Sequence, residues 1–107
     1  MSAGKIRALN DAFRQTLAGG KVMMTAGIAA LPDAARAMVI EKVRAFDAFT
    51  ADNDPHGEHD FGNFEVDGRK IFWKVDYFDA AMEFGSEDPA DPAKTTRVLT
   101  IMLASEY

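Results

Sequence analysis

The sequence contains no cysteine, which excludes disulfide bonds, thiolate zinc sites and cysteine nucleophiles together. It also lacks an apolar run of about 18 residues, the length needed to cross a membrane, so we predict no membrane association. The first ten residues have no apolar segment of the kind found in secretory signal peptides. From these absences we expect a cytoplasmic protein.

Several catalytic motifs are also missing. No glycine-rich loop is followed by Lys and then Ser or Thr, and no G-x-G-x-x-G fingerprint occurs, so neither common nucleotide-binding loop is indicated. Ser86 follows Gly85 but lacks the second glycine of a G-x-S-x-G nucleophile elbow. Without a recognisable catalytic frame, the sequence favours a non-enzymatic protein.

The chain does contain enough apolar material for one core, together with a very uneven charge. Hydrophobic residues make up 48% of its 107 residues, which predicts a single domain over residues 1–107. The net charge is -5, yet residues 47–91 contain thirteen Asp/Glu and three Lys/Arg, whereas the remainder contains four acids and nine bases. Such an anionic surface suits a basic protein partner or a cation. It argues against direct nucleic-acid binding, because phosphates repel carboxylates.

Two segments show the helical spacing of apolar residues. The first covers residues 3–18, and the second runs from Pro32, which suits a first helical turn, to about residue 49. Between them, the apolar run from Lys21 to Thr25 predicts a buried strand. The first helix leaves five polar residues for solvent, namely Lys5, Arg7, Asn10, Asp11 and Arg14. The predicted apolar face of the second helix contains Ala35, Met38, Val39, Val43, Phe46 and Phe49.

The dipeptide Asp67-Gly68 lies between two strand-like runs and is a strong signal for a tight hairpin. A two-residue turn sets the register and places Gly62 opposite Trp73, where the indole can lie across bare backbone. Residues 96–103 are rich in β-branched and apolar residues and predict a final strand. The element order α-β-α-β-β-β predicts an α+β fold, in which a four-stranded, mainly antiparallel sheet carries two helices on one face.

The segment from Asp52 to Gly62 contains both histidines of the chain, four carboxylates and two glycines. Its composition is that of a loop, and loops carry much of the chemistry of proteins. Extending the hairpin register past Gly62 places His59 opposite Asp76. A carboxylate beside an imidazole can support acid–base catalysis, so these two residues are the catalytic candidates, although such a pair also serves structure alone.

The same segment offers a second interpretation as a metal site. The possible ligands are His56, Glu58, His59 and Asp60. The stretch from Asp52 also resembles a calcium-binding EF-hand loop, but Asn63 stands where that loop has its final Glu, and Pro55 interrupts it. The H-x-E-H spacing does not match the helical H-E-x-x-H motif. We therefore predict no cofactor, with a divalent metal as the alternative.

A second acidic loop, over residues 84–94, contains two Asp-Pro steps. We expect the two loops together to contact a basic protein surface, and the predicted interaction residues are Asp52, Asp54, Glu58, Asp60, Glu87, Asp88 and Asp91. The first alternative is a metal-assisted or acid–base enzyme centred on His59, Asp60 and Asp76. The second is an accessory protein that acts as a homodimer through the hairpin or the last strand.

Four longer motifs resemble those of a family of small bacterial proteins of unknown function, whose members are often borne on plasmids or mobile elements. The motifs are G-G-K-V-M-M-T-A-G, F-D-A-F-T-A-D-N-D-P-H-G-E-H-D-F-G, F-W-K-V-D-Y-F-D and S-E-D-P-A-D-P-A-K-T-T-R-V-L-T-I-M-L-A-S-E-Y. The resemblance extends from Asn10 to Tyr107 and implies no activity and no catalytic residue. Members of that family commonly have Tyr in place of His56, which favours His59 as the functional histidine. By analogy with small acidic proteins that occupy the basic DNA sites of nucleases, an anti-defence inhibitor is a natural sub-case.

Overall fold

The computed structural model describes residues 3–107, which form three α-helices and one four-stranded sheet. The helices are α1 (Ala3–Thr16), α2 (Ala26–Ala29) and α3 (Asp33–Ala45), and the strands are β1 (Lys21–Met24), β2 (Phe61–Val66), β3 (Arg69–Phe78) and β4 (Thr96–Leu103). A single 3₁₀ turn, Ala104–Glu106, follows the last strand. None of the helices in this described part is long and apolar enough to cross a membrane.

The strand order across the sheet is β1-β4-β3-β2. The pairs β4–β3 and β3–β2 are antiparallel, whereas β1 runs parallel to β4. The predicted α+β class is confirmed, with the refinement that the sheet is mixed. The last strand, β4, lies inside the sheet and offers no free edge, and the two edges are β1 and β2.

The hairpin has the predicted register. Val66 pairs with Arg69 across the Asp67-Gly68 turn, and Gly62 pairs with Trp73. A Cβ atom added to Gly62 would lie 2.5 Å from the Trp73 indole nitrogen, so only glycine allows the ring to lie against this backbone. The predicted packing of Trp73 over Gly62 is therefore confirmed.

The core lies between one face of the sheet and the helices. The amphipathic stripe of α1 supplies Phe13, and α3 supplies Val39 and Val43, all nearly inaccessible to solvent. Opposite them lie the alternate residues of β3 and β4 that face the helices, because side chains on a strand alternate between its two faces. Those residues are Ile71, Trp73, Val75, Leu99 and Ile101.

The structure corrects several expectations about helix ends and exposure. The predicted strand at β1 exists, but all four of its residues are exposed, because it forms an edge with no element beyond it. The second long helix, α3, ends at Ala45 rather than near residue 49, since Phe46 turns to an extended conformation. Met38 was placed on its apolar face but is 50% exposed.

Asn10 and Arg14 were expected to face solvent, yet their exposed fractions are 0% and 1%. The Arg14 guanidinium donates hydrogen bonds to the carbonyl oxygens of Val43, Arg44 and Phe46 at 2.9–3.1 Å. These carbonyl groups lie at or just after the C-terminal end of α3, where a helix leaves carbonyl groups without intrahelical donors, although the Val43 oxygen also accepts the Phe46 N–H at 3.4 Å. Arg14 therefore caps the C-terminus of α3 from within the core. Its guanidinium also forms a salt bridge with Asp11 at 2.9 Å.

Candidate functional site

The two acidic loops, residues 52–60 and 84–91, are joined by one polar network that is centred on Asn10. The Asn10 side-chain amide donates to the Glu58 backbone oxygen at 3.0 Å and to the Tyr77 hydroxyl at 2.8 Å. Arg97 Nε donates to the Asn10 side-chain oxygen at 2.7 Å. Both ends of this buried amide are therefore satisfied, as burial requires.

Each end of the network reaches one loop. The Tyr77 hydroxyl donates to the Glu58 carboxylate at 2.8 Å in the first loop, and the Arg97 guanidinium donates to the Pro89 carbonyl oxygen in the second. Burial raises the pKa of Tyr77 above its usual range and lowers that of Arg97. The tyrosine therefore stays protonated as a donor, and the two loops are fixed relative to the same strands.

The sequence reasoning missed Asn10, Tyr77 and Arg97 as site residues, although one signal was available. Asn10 follows Ile6 by four positions and precedes Phe13 by three, so it lies on the apolar stripe of α1. A polar residue at such a position must find hydrogen-bond partners inside the protein. The identities of those partners depend on tertiary packing and are not visible in the sequence.

His59 does not lie opposite Asp76, so that prediction is wrong. The ladder ends at Phe61, with one more hydrogen bond from Val75 N–H to the Asp60 carbonyl, and His59 itself has a φ of 55°, which turns the chain out of the strand. Asp76 instead contacts Lys74 Nζ at 3.1 Å. The two catalytic candidates are therefore separated.

The imidazole of His59 lies between two carboxylates, those of Asp11 on α1 and of Asp54 in its own loop. Its Nδ1 is 2.9 Å and 3.1 Å from the two oxygens of Asp11, and its Nε2 is 3.6 Å from Asp54 Oδ2. The ring stacks on Phe49 with a centroid distance of 3.7 Å and an interplanar angle of 3°. These contacts tie the first loop to α1, because the ring joins Asp11 of that helix to the loop residue Asp54.

The remaining metal candidates do not converge. His56 is exposed, and no group of three or more His, Asp or Glu in residues 3–107 is arranged to hold a metal ion. Burial and the nearby carboxylates of Glu58 and Asp54 raise the pKa of Asp60. The first loop therefore brings carboxylates close together, but in the described residues they are not arranged as the ligands of a metal ion.

The predicted interaction residues fall into two groups. Asp52 and Glu87 are exposed, whereas Asp54 is buried and accepts the His59 backbone N–H at 3.1 Å. In the second loop, Asp88 and Asp91 accept backbone N–H groups two residues further on, which stabilises the turns at the Asp-Pro steps. Part of the acidic cluster therefore shapes the loops, and part remains available to solvent.

Most carboxylates of the acidic segment lack a cationic neighbour. Of the thirteen in residues 47–91, only Asp76 lies within salt-bridge distance of a Lys or Arg side chain in residues 3–107, and Asp54 lies 3.6 Å from the His59 imidazole. Outside that segment, three of the four acids are paired with arginine, and these are Asp11, Asp33 and Glu41. The negative field of the acidic segment is therefore left largely uncompensated.

An exposed aromatic ring lies within this acidic surface. Phe84 is 72% exposed and lines a cleft of about 490 Å³ together with Asp79 and Glu87. Its backbone is held in place, because the Phe84 carbonyl oxygen accepts the Asp79 N–H at 2.7 Å and Gly85 bridges to Phe78. Lys94 also borders the cleft.

A family model with the description "Protein of unknown function (DUF3768)" matches residues 24–106 of the chain. The expected membership of a family without an assigned function is thereby confirmed. No curated protein and no solved structure matches the chain.

Proposed function

The chain belongs to the DUF3768 family, and from its geometry we propose that it is a non-enzymatic interaction module that binds a basic protein surface through its two acidic loops. The observation that carries the proposal is the difference in charge pairing between residues 47–91 and the remainder of the chain. Eleven of the thirteen carboxylates in residues 47–91 have no Lys, Arg or His side chain within salt-bridge distance in the described part of the chain. A basic partner would supply the missing countercharge and would be attracted over a distance.

The rigidity of the loops supports binding. The network through Asn10, Tyr77 and Arg97 connects both loops to the sheet, so the loop backbones and the Glu58 carboxylate are held in one arrangement before a partner arrives. A preorganised surface loses less conformational entropy on association than a mobile one.

Phe84 is the anchor for such a partner. Exposed aromatic rings contribute disproportionately to binding energy, and a ring next to carboxylates attracts the cationic side chains of Arg and Lys. Phe84 lies beside Asp79 and Glu87, so one arginine side chain could contact the ring and a carboxylate together. Lys94 at the same cleft would oppose that contact.

The environment of His59 favours this module over the acid–base enzyme. A general base needs a free ring nitrogen, whereas both nitrogens of His59 face carboxylates, at Asp11 and Asp54. Asp76, its intended partner in that mechanism, is paired with Lys74. Fixing the first loop to α1 is therefore enough to explain the contacts of His59 without a catalytic role.

As a finer proposal, the module acts in the bacterial cytoplasm as a plasmid-associated inhibitor that occupies a basic site on a defence protein. The acidic surface is compatible with this role, because a protein that imitates the charge of a phosphate backbone competes for sites that bind nucleic acid. The analogy is one of charge alone.

The test is capture of partners from a bacterial lysate, followed by calorimetry with the identified partner. The loop variant Asp52→Lys/Glu87→Lys reverses one exposed carboxylate in each loop. Its control, Glu41→Lys/Glu65→Lys, makes the same change in net charge at exposed positions outside the loops. We expect the loop variant to lose affinity on the order of tenfold, with the control close to wild type, and binding to weaken as salt is added.

A second pair of variants examines the anchor. Phe84→Ala is compared with Tyr107→Ala, because the two aromatic residues have similar exposed fractions of 72% and 74%. Only the Phe84 change should weaken binding. A partner that is not basic, no recoverable partner, or equal binding by the loop variant and its control would contradict the proposal.

A further inference from the structure

The exposed apolar residues of the β1 edge of the sheet have no role in the acidic binding surface. Strand β1 pairs with β4 on one side only, and Val22, Met23 and Met24 have exposed fractions of 38%, 55% and 41%. The strand contains no proline and no charge beyond Lys21. Natural edge strands usually carry such features to prevent pairing with another strand, so β1 is open to association.

The opposite edge is different. Next to β2, the segment that follows α3 packs close to the strand, and residues 45–48 line a cleft together with Asn63 and Phe64. β2 also carries the charged residue Glu65, which disfavours pairing with another strand. Of the two edges, β1 is therefore the better candidate for an interface.

The free backbone groups of β1 follow from its register. Met24 pairs with Ile101, and Thr25 N–H donates to the Ile101 carbonyl oxygen at 3.1 Å. Because hydrogen bonding alternates along a strand, Met23 also bonds towards β4, and Val22 and Met24 direct their N–H and C=O groups away from the sheet. Two outward-facing residues, separated by one position, are thus available for a further strand.

We propose that a second copy of this chain occupies the β1 edge by antiparallel pairing of the two β1 strands, with Met23 at the two-fold axis. In this register Val22 of each copy pairs with Met24 of the other, so every outward-facing group of both strands finds a partner. The two four-stranded sheets then form one continuous sheet. The interface is isologous, because the same residues contribute from both copies.

Charge favours a second copy over the basic partner proposed for the loops. Residues 21–32 contain one cation, Lys21, and no acid, so this edge does not attract a basic protein. A cleft of about 390 Å³ lies beside the strand and is lined by Lys21, with Asp76 of β3 on its far side. The other residues that line the cleft are mainly apolar and include Met23, Met24, Phe78, Met82 and Val98.

The first test is sedimentation equilibrium from micromolar to millimolar protein. We expect the mass to rise from the 11.7 kDa of one chain towards twice that value. Met23→Lys should increase the dissociation constant of the dimer on the order of tenfold or more, because it places like charges at the two-fold axis. Met38→Lys is the control, since Met38 is 50% exposed on α3, which contacts α1 and β2, the strand at the opposite edge of the sheet.

The second test uses the absence of cysteine. In Met23→Cys the two thiols would face each other in a non-hydrogen-bonded pair, where the Cα atoms are about 4.5 Å apart and a disulfide can form. We expect oxidation to link this variant into dimers and to leave Met38→Cys largely monomeric.

The inference is overturned if the wild-type mass stays that of one chain, if Met23→Lys and Met38→Lys dimerise alike, or if the two cysteine variants cross-link equally. Its outcome is independent of the acidic loops. Asp52→Lys/Glu87→Lys should dimerise as the wild type does, so failure of one proposal leaves the other standing.

Discussion

The acidic segment, residues 47–91, and the remainder of the chain use their charges in opposite ways. In the remainder, Arg14 and Arg97 are buried and hydrogen-bonded, and Arg36 and Arg44 pair with acids one helical turn away. In the acidic segment, eleven carboxylates have no such partner in the described part of the chain. Charge outside the segment is therefore largely used for contacts within the fold, whereas most of the charge within it has no internal partner.

The largest test of this contrast is Arg14→Leu. We expect a loss of about 3 kcal/mol in the free energy of unfolding, because three carbonyl oxygens near the end of α3 lose their donor and Asp11 loses its cation. Urea denaturation gives the value. The control Arg7→Leu removes an exposed arginine that donates to the Gly57 carbonyl oxygen, and it should change stability by less than about 0.5 kcal/mol. Equal losses of stability in the two variants would contradict the conclusion that a buried arginine stabilises this fold more than an exposed one does.

Asp11→Asn should have the next largest effect. This carboxylate contacts both Arg14 and His59, and its side chain is 29% exposed. We expect a loss of about 1–2 kcal/mol in the free energy of unfolding, since an amide keeps a hydrogen bond but not the charge. Thermal and urea unfolding would measure it, and Asp33→Asn, whose carboxylate is 96% exposed, is the matched control.

Asp60→Asn should act in the opposite direction and stabilise the protein at neutral pH. The folded state raises the pKa of Asp60, so its carboxylate form is disfavoured and the wild type loses stability as pH rises through that folded pKa. The gain from the Asn variant should therefore fade as the pH is lowered below the ordinary range of a carboxyl group. Urea unfolding over a pH series would measure this trend. A variant that is destabilised at neutral pH would show that this carboxylate supports the fold.

The smallest effect is expected for Asp52→Asn/Glu87→Gln. Both side chains are exposed and have no cationic partner in the described residues, so neutralising them should change the free energy of unfolding by less than about 0.5 kcal/mol. Differential scanning calorimetry would detect a larger change. A clear loss would mean that the acidic segment also uses its charge for stability.

The parts of the fold that the sequence predicted are those set by local rules. The Asp67-Gly68 turn determines the pairing of Gly62 with Trp73, and β4 has its predicted bounds. The partner of His59 was not predictable, because Asp11 is 48 residues away and approaches only when α1 packs on the sheet. Periodicity also treats every polar residue as exposed, which is why Asn10 and Arg14 were misplaced.

The role of α1 has a consequence for dividing the chain into units. The family match begins at residue 24, so α1 lies wholly outside it. Yet α1 supplies Asn10, which holds both loops, and Arg14, which closes α3. A fragment trimmed to the matched residues would keep all thirteen acids of residues 47–91 but would lose the hydrogen bonds of Asn10 that hold the two acidic loops. The segment by which relatives are recognised therefore omits contacts that hold this fold together.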